Sequence, residues 1–200
     1  MKKILSLFLA AGISMATFAQ EKSMPIGTKL PAEGYQTTNV FDGKIMHLPD
    51  VKTEKGLLVV FTCNTCPFVI RNIERTGQVL KYAHEKGLGV VFINSNEAQR
   101  NDADAVKSMI KFGKEHNYPN YLVDKKSALA DIFGASHTPE VYLFNGAQAL
   151  VYKGAMDDNP ANPSEAKIMY LKNAIDNLLA GKAIDPAETK SVGCSIKRLN

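Results

Sequence analysis

Two cysteines separated by two residues, Cys63 and Cys66 in LLVVFTCNTCPFVI (residues 57–70), are the part of this 200-residue chain best suited to covalent chemistry. A thiolate attacks disulfides and a thiol hardly does, so a redox cysteine needs surroundings that stabilise negative charge. A strand that runs straight into a helix supplies them, because the first backbone N–H groups of a helix lack partners and its dipole is positive at that end. Pro67 marks the boundary, since it pre-sets φ for a first helical turn and has no N–H to leave orphaned. On this spacing Cys63 falls just before the helix. Cys66 lies about one turn further on the same face, close enough to close a disulfide with it. Two buried cysteines acting as small hydrophobes, or half of a zinc site, are the competing readings; a zinc site needs further ligands, and only Cys194 and four scattered histidines remain.

The elements that must hold this pair follow from hydrophobic periodicity. GLLVVFT and GVVFIN are continuous, β-branched-rich runs of the kind found in strands covered on both faces. Between them Val69, Ile70, Ile73, Leu80 and Ala83 recur at helical spacing up to Gly87, and DADAVKSMIKFGKEH repeats the pattern with Val106, Met109, Ile110 and Phe112. NYLVD reads as a short strand and SALADIFG as a short helix closed by Gly134. EVYLFN and ALVYKG read as two strands joined through Gly146, and SEAKIMYLKNAIDNLLAG as a last helix with Ile168, Leu171, Ile175 and Leu178 on one face. Ahead of the first buried strand, NVFDGKIMHL has an apolar stretch on each side of Asp42-Gly43, the signature of a hairpin. The alternation predicts an α/β layer fold with a mixed sheet in a single domain, residues 20–200, whose last segment, residues 181–200, shows neither period.

The opening MKKILSLFLAAGISMATFA has a basic start, an apolar run of roughly a dozen residues and small residues before Gln20, the pattern of a secretory signal peptide over residues 1–19. The run is shorter than the roughly 20 apolar residues of a spanning helix. The expectation is an exported protein without stable membrane insertion after cleavage, periplasmic if the source is a Gram-negative bacterium and otherwise extracellular. Loss of Lys2 and Lys3, with no acid among the first nineteen residues, lowers the formal charge from +4 to +2. Basic residues are interspersed with acids and form no aromatic-laced stripe, which disfavours nucleic acid as a partner. Three cysteines are too few for a disulfide framework in an exported domain, so chemistry is the better explanation of the close pair.

A second element is SHTPEVYLF. Pro139 stands where a loop enters a strand. A cis Thr138–Pro139 bond there would aim an exposed Thr138 backbone at the cysteines. His137 precedes it, and two thiolates with an imidazole form a donor set suited to Cu(I). Asp157 and Asp158, in GAMDDNPANP, read as turn and cap formers.

GLLVVFTCNTCPFVI, the following α/β alternation and HTPEVYLF together resemble thioredoxin-like proteins of the redoxin family, the group that also holds peroxiredoxins. CNxCPF, INSN, the Thr-Pro loop, MDD and the C-terminal GCSIK resemble a peroxiredoxin-like subgroup. The resemblance implies a thioredoxin-like fold, a central mixed β-sheet flanked by helices with an N-terminal β-hairpin extension. It implies a thiol–disulfide oxidoreductase with Cys63 as exposed nucleophile, Cys66 as resolving thiol and Pro139 as the cis proline, with the Thr138 backbone binding a substrate strand. Expected partners are protein thiols or disulfides and a redox partner of unknown identity, with no dissociable cofactor and no metal. The direction of electron flow stays open. There are departures. Thr62 stands where thioredoxins carry tryptophan, and Leu57 and Leu58 lie on a strand where they carry a buried acid. Val60 and Cys63 stand where the peroxiredoxin threonine would precede Cys63 and Cys66 respectively. A thiol peroxidase and a Cu(I)-binding protein using Cys63, Cys66 and His137 are the alternatives, with a binding module that has lost redox chemistry behind them. Cys194 is either a free or chain-linking thiol or, if the tail folds back over the site, a third redox thiol that exchanges with Cys63–Cys66.

Overall fold

The computed structural model describes residues 23–199. The signal peptide expected over residues 1–19 lies outside them. In chain order the elements are β1 (Thr37–Asn39), α1 (Leu48–Val51), β2 (Gly56–Phe61), α2 (Pro67–Arg71), α3 (Ile73–Glu85), β3 (Gly89–Asn94), α4 (Val106–Glu115), β4 (Tyr121–Asp124), α5 (Ala128–Phe133), β5 (His137–Thr138), β6 (Glu140–Asn145), β7 (Leu150–Gly154), α6 (Tyr170–Leu179) and β8 (Cys194–Ser195). Six strands form one sheet in the order β1-β4-β3-β2-β6-β7, and β5 and β8 form a separate two-stranded ribbon. Strands β4, β3 and β2 run parallel to one another, with β1, β6 and β7 antiparallel to their neighbours. This is the mixed α/β sheet of a thioredoxin-like fold.

Strand geometry explains how continuous apolar runs serve two cores. Successive side chains point to opposite faces. Leu58, Val60, Val90 and Phe92 therefore join Val79, Ala83, Met109, Leu171 and Ile175 from α3, α4 and α6. Leu57, Val59, Phe61, Val91 and Ile93 pack on the other face with Leu48 of α1 and Leu129 and Phe133 of α5. Each of these Val, Leu, Ile, Phe and Met side chains stabilises the fold by about 1.5–3 kcal/mol on burial, and the chemistry is carried on the ends of these fixed strands.

The structure departs from the sequence reading at several elements. The helix expected from Pro67 to Gly87 is broken at Asn72 (φ −96°, ψ 12°), whose side-chain amide donates to the carbonyls of Phe68 and Pro160. The last helix starts at Tyr170 rather than Ser164. Asp158 Oδ1 accepts from the Lys167 and Ile168 backbone N–H groups and holds that stretch outside the helix, so Ile168 is exposed. The Asp42-Gly43 turn forms, with a bridge between Thr38 and Ile45, but its first arm is also an outer strand of the main sheet, paired with β4. The aperiodic tail runs beside β7, where Lys153 bridges to Glu188, and then reaches β5.

Candidate active site

Strand register places the two expected motifs together. Strand β6 runs antiparallel to β2 with Phe61 opposite Glu140, so two residues further along the chain Cys63 comes opposite Thr138. The Thr138–Pro139 bond is cis, as the sequence reading expected. The Glu140 carboxylate accepts from the Ser136 and His137 backbone N–H groups (2.9 and 3.0 Å) and so fixes the loop ahead of the proline. Cys63 Sγ and Thr138 Oγ1 are hydrogen-bonded at 3.3 Å, and Cys66 Sγ lies 3.3 Å from the Thr138 carbonyl oxygen. One threonine thus touches both sulfurs.

The sulfur pairing differs from the expected one. Cys66 is bonded to Cys194, 128 residues away, with Cα atoms 6.0 Å apart, and Cys63 is a free thiol. Cys66 is the cap of α2 rather than part of its first turn, so Cys63 and Cys66 do not share a helix face. The three cysteines pack in one small apolar cluster with Phe68, Val69 and Phe112. Cys194 reaches it because β8 lies antiparallel on β5, with Thr138 opposite Cys194 and His137 opposite Ser195. The edge expected to receive a substrate strand is occupied by the chain itself, and Thr138 is 1% exposed rather than open.

Cys63 is also not the exposed nucleophile expected, at 2% exposure. Burial pushes its thiol pKa up from the ordinary value. The Thr138 hydroxyl acts the other way, the Asp104 carboxylate reinforces the rise, and the Cys66 and Thr65 backbone N–H groups lower it. The N–H donors sought at this position are present, and desolvation outweighs them.

Asp104 escaped the sequence reading. It is fully buried. Its Oδ1 accepts from the Asn64 backbone N–H (2.9 Å) and Asn94 Nδ2 (2.7 Å), and its Oδ2 accepts from Asn96 Nδ2 (2.8 Å). Asn64, between the two cysteines, also donates from Nδ2 to the Ala103 carbonyl and accepts from the Tyr121 hydroxyl. Asn96 Oδ1 in turn accepts from the Lys197 N–H of the tail. A buried acid near the site does exist, supplied by the loop before α4 instead of by the preceding strand. The only trace of it in the sequence was the polar INSN after a buried strand.

His137 is half-buried, and its Nδ1 is hydrogen-bonded to Ser136 Oγ at 2.7 Å. Among the described residues no three His, Cys, Asp or Glu side chains are grouped to hold a metal ion, so Cys63, Cys66 and His137 are not assembled as a ligand set. Asp157 pairs with Arg75 (2.7 Å) and accepts from the Asn159 N–H, the turn-forming role read from its loop. No helix among the described residues is long and apolar enough to cross a membrane.

A sheet of this topology, with a CxxC segment at the end of β2 beside a cis-proline loop, defines a thiol oxidoreductase of thioredoxin-like architecture. The redoxin family profile matches residues 25–169, and the chain belongs to that family. It is similar to an uncharacterized conserved protein from Geobacillus kaustophilus, at 33% identity over 88% of this chain and 93% of that one, with a TM-score of 0.79. It is likewise similar to a hypothetical protein from Sinorhizobium meliloti 1021, at 31% identity over 89% and 97% of the two chains and the same TM-score. A putative thiol:disulfide interchange protein DsbE from Chlorobium tepidum, 18% identical over 80% and 98% of the chains, shares the fold with a TM-score of 0.56. None of the curated proteins compared matches the chain.

Proposed function

We propose that this redoxin is an exported thiol–disulfide oxidoreductase that exchanges disulfides with protein substrates. The observation that carries the reading is the convergence of Cys63 and Cys66 on Thr138 beside the cis proline. In the reducing direction, the Cys63 thiolate attacks one sulfur of a substrate disulfide and forms a mixed disulfide while the other substrate sulfur leaves as a thiolate and takes up a proton. Cys66 then attacks Cys63 Sγ, closing Cys63–Cys66 and releasing the second substrate thiol. The oxidising direction is the same exchange reversed. Thr138 serves both steps, its hydroxyl favouring the Cys63 thiolate and its carbonyl lying against Cys66. Residues 1–19 support export, since their basic start and apolar run carry the charge and hydropathy of a secretory leader.

The test is reduction of insulin disulfides by the pre-reduced protein, with each mixed disulfide mapped by mass spectrometry. Cys63→Ala is expected to abolish exchange, and Cys66→Ala to trap a Cys63–substrate adduct. Exchange that persists in Cys63→Ala overturns the reading. Rapid peroxide consumption without insulin reduction assigns the chain to peroxidase chemistry instead.

A further inference from the structure

We infer that Cys194 is a third redox thiol and that its tail segment is a built-in counterpart of the substrate strand, accepting the oxidising equivalents from Cys63–Cys66 and returning Cys63 as a thiol. This inference rests on the function proposed above. Cys66 is bonded to a residue 128 positions away while Cys63, three positions away and in the same cluster, is free. The tail also takes the place where an incoming strand would add, with Cys194 opposite Thr138.

The tail is shaped for that place independently of the sulfur bond. A Cβ on Gly193 would lie 2.1 Å from the Thr138 carbonyl oxygen and 2.7 Å from its carbon, so only glycine lets the chain pass over the cis-proline loop at this distance. Beyond Cys194 the Ile196 N–H donates to the Ser136 carbonyl (3.0 Å), and the Ile196 side chain is buried among residues of the second core. The Lys197 N–H donates to Asn96 Oδ1 and its carbonyl accepts from the Ala98 N–H (both 2.9 Å). Arg198 donates to Asp131 Oδ1 and to the Ala135 carbonyl. These contacts bring the tail back to the edge once a substrate strand has left it, so the exchange between Cys194 and Cys66 is intramolecular at high effective concentration.

The sequence of bonds balances without an added oxidant. A substrate disulfide gives up one S–S bond and becomes two thiols, and the protein gains Cys63–Cys66. The Cys194 thiolate then attacks Cys66 Sγ, forming Cys66–Cys194 and expelling Cys63 as a thiolate that takes up the proton lost by Cys194. This second exchange transfers no electrons to or from the protein. Cys66–Cys194 is reopened by an external dithiol: one thiol attacks the half-buried Cys194 sulfur and frees Cys66, and the second closes the reductant's own disulfide and frees Cys194. Because tail and substrate strand share one edge, the oxidised form is closed to a second substrate, which agrees with the buried, protonation-favouring setting of Cys63.

The experiment follows the pre-reduced full chain after addition of one equivalent of insulin, with acid quenching, alkylation and disulfide mapping over time. Expected in the wild type is a transient Cys63–Cys66 that decays into Cys66–Cys194 with Cys63 alkylatable. Cys194→Ser is expected to stop at Cys63–Cys66. Gly193→Val, checked by circular dichroism to retain its fold, is expected to slow the second step by about tenfold or more. A wild type that ends at Cys63–Cys66 with Cys194 alkylated throughout overturns the relay and leaves the oxidoreductase reading standing, as does a Cys194→Ser protein with the same products and turnover. Failure of the wild type to cleave insulin overturns both.

Discussion

Removing the Cys66–Cys194 bond has a cost that the topology lets one work out. The bond closes a loop of 128 residues, and nearly all of its effect falls on the unfolded chain because the tail has its own folded-state contacts at Ile196, Lys197 and Arg198. Chain entropy for a loop of this length gives about 5 kcal/mol, against a range of about 2–5 kcal/mol for native disulfides. At about 2–4 °C per kcal/mol for a domain of this size, the melting temperature falls by about 5–20 °C. The clean comparison is Cys63→Ser against Cys63→Ser/Cys194→Ser, since neither protein can form the alternative Cys63–Cys66 bond. Differential scanning calorimetry under non-reducing conditions reads the difference, and a reductant added to Cys63→Ser should reproduce it. A difference below about 2 °C refutes the reasoning, because it means that the tail bond does not constrain the unfolded chain by its full loop. The same free energy works in reverse: whatever the bond adds to the fold, the fold adds to the bond, favouring Cys194 over other thiols as the partner of Cys66.

Asp104→Asn replaces one acceptor oxygen by an NH2 group that faces existing N–H donors. It should destabilise the protein by about 1–3 kcal/mol in urea titration while lowering the pKa of Cys63, whose ionisation the carboxylate opposes; an unchanged alkylation–pH profile would show that the charge does not reach the sulfur. In the oxidised wild type, iodoacetamide should modify Cys63 only at a pH above the ordinary thiol range, and Thr138→Val should push the midpoint further up by deleting the hydroxyl that favours the thiolate. Because the folded-state pKa is the raised one, the unfolded chain ionises first: the stability held by the protonated thiol is intact below about pH 9 and is lost as pH climbs through the folded-state value, a decline that should be absent from Cys63→Ala. Ile196→Ala deletes the apolar anchor of the tail and should cost about 2–4 kcal/mol, with Cys194 in the reduced protein alkylated faster than in the wild type; equal alkylation rates would show that the anchor does not position the thiol.

What the sequence disclosed depended on how local its cause was. Strands β2 and β3 were legible because two-sided burial writes itself as an unbroken apolar run, and the Cys63/Cys66 and Thr138–Pro139 motifs because turn and redox chemistry impose short spacings. The start of α6 was not, since apolar spacing through Ile168 continues a helical period that the Asp158 carboxylate interrupts from nine and ten residues away. The direction of the Cys63 pKa shift was read the wrong way, because backbone donors are local and burial is a property of the assembled fold. Asn94 reads as the end of a strand and Asp104 as part of the following helix, and only tertiary structure gathers Asn94 and Asn96 on the Asp104 carboxylate ahead of a helix that starts at Val106. The tail's path stayed open between a free thiol and a fold back over the site for the same reason: a lone Ile196 and a lone Gly193 make no period, yet each fits one place in the folded protein.

The tail does more along its path than deliver a sulfur. Before reaching β5 it lies against β7, an outermost strand of the main sheet, with the Lys153 N–H donating to the Ala187 carbonyl and the Thr189 N–H to the Lys153 carbonyl. Those bonds occupy backbone groups that would otherwise be open to pairing with another molecule. Gly154 is fitted to this neighbour, since a Cβ there would meet the Thr189 carbonyl oxygen at 2.2 Å. A tail loosened far enough back to free residues 187–189 would therefore bare an adhesive sheet margin.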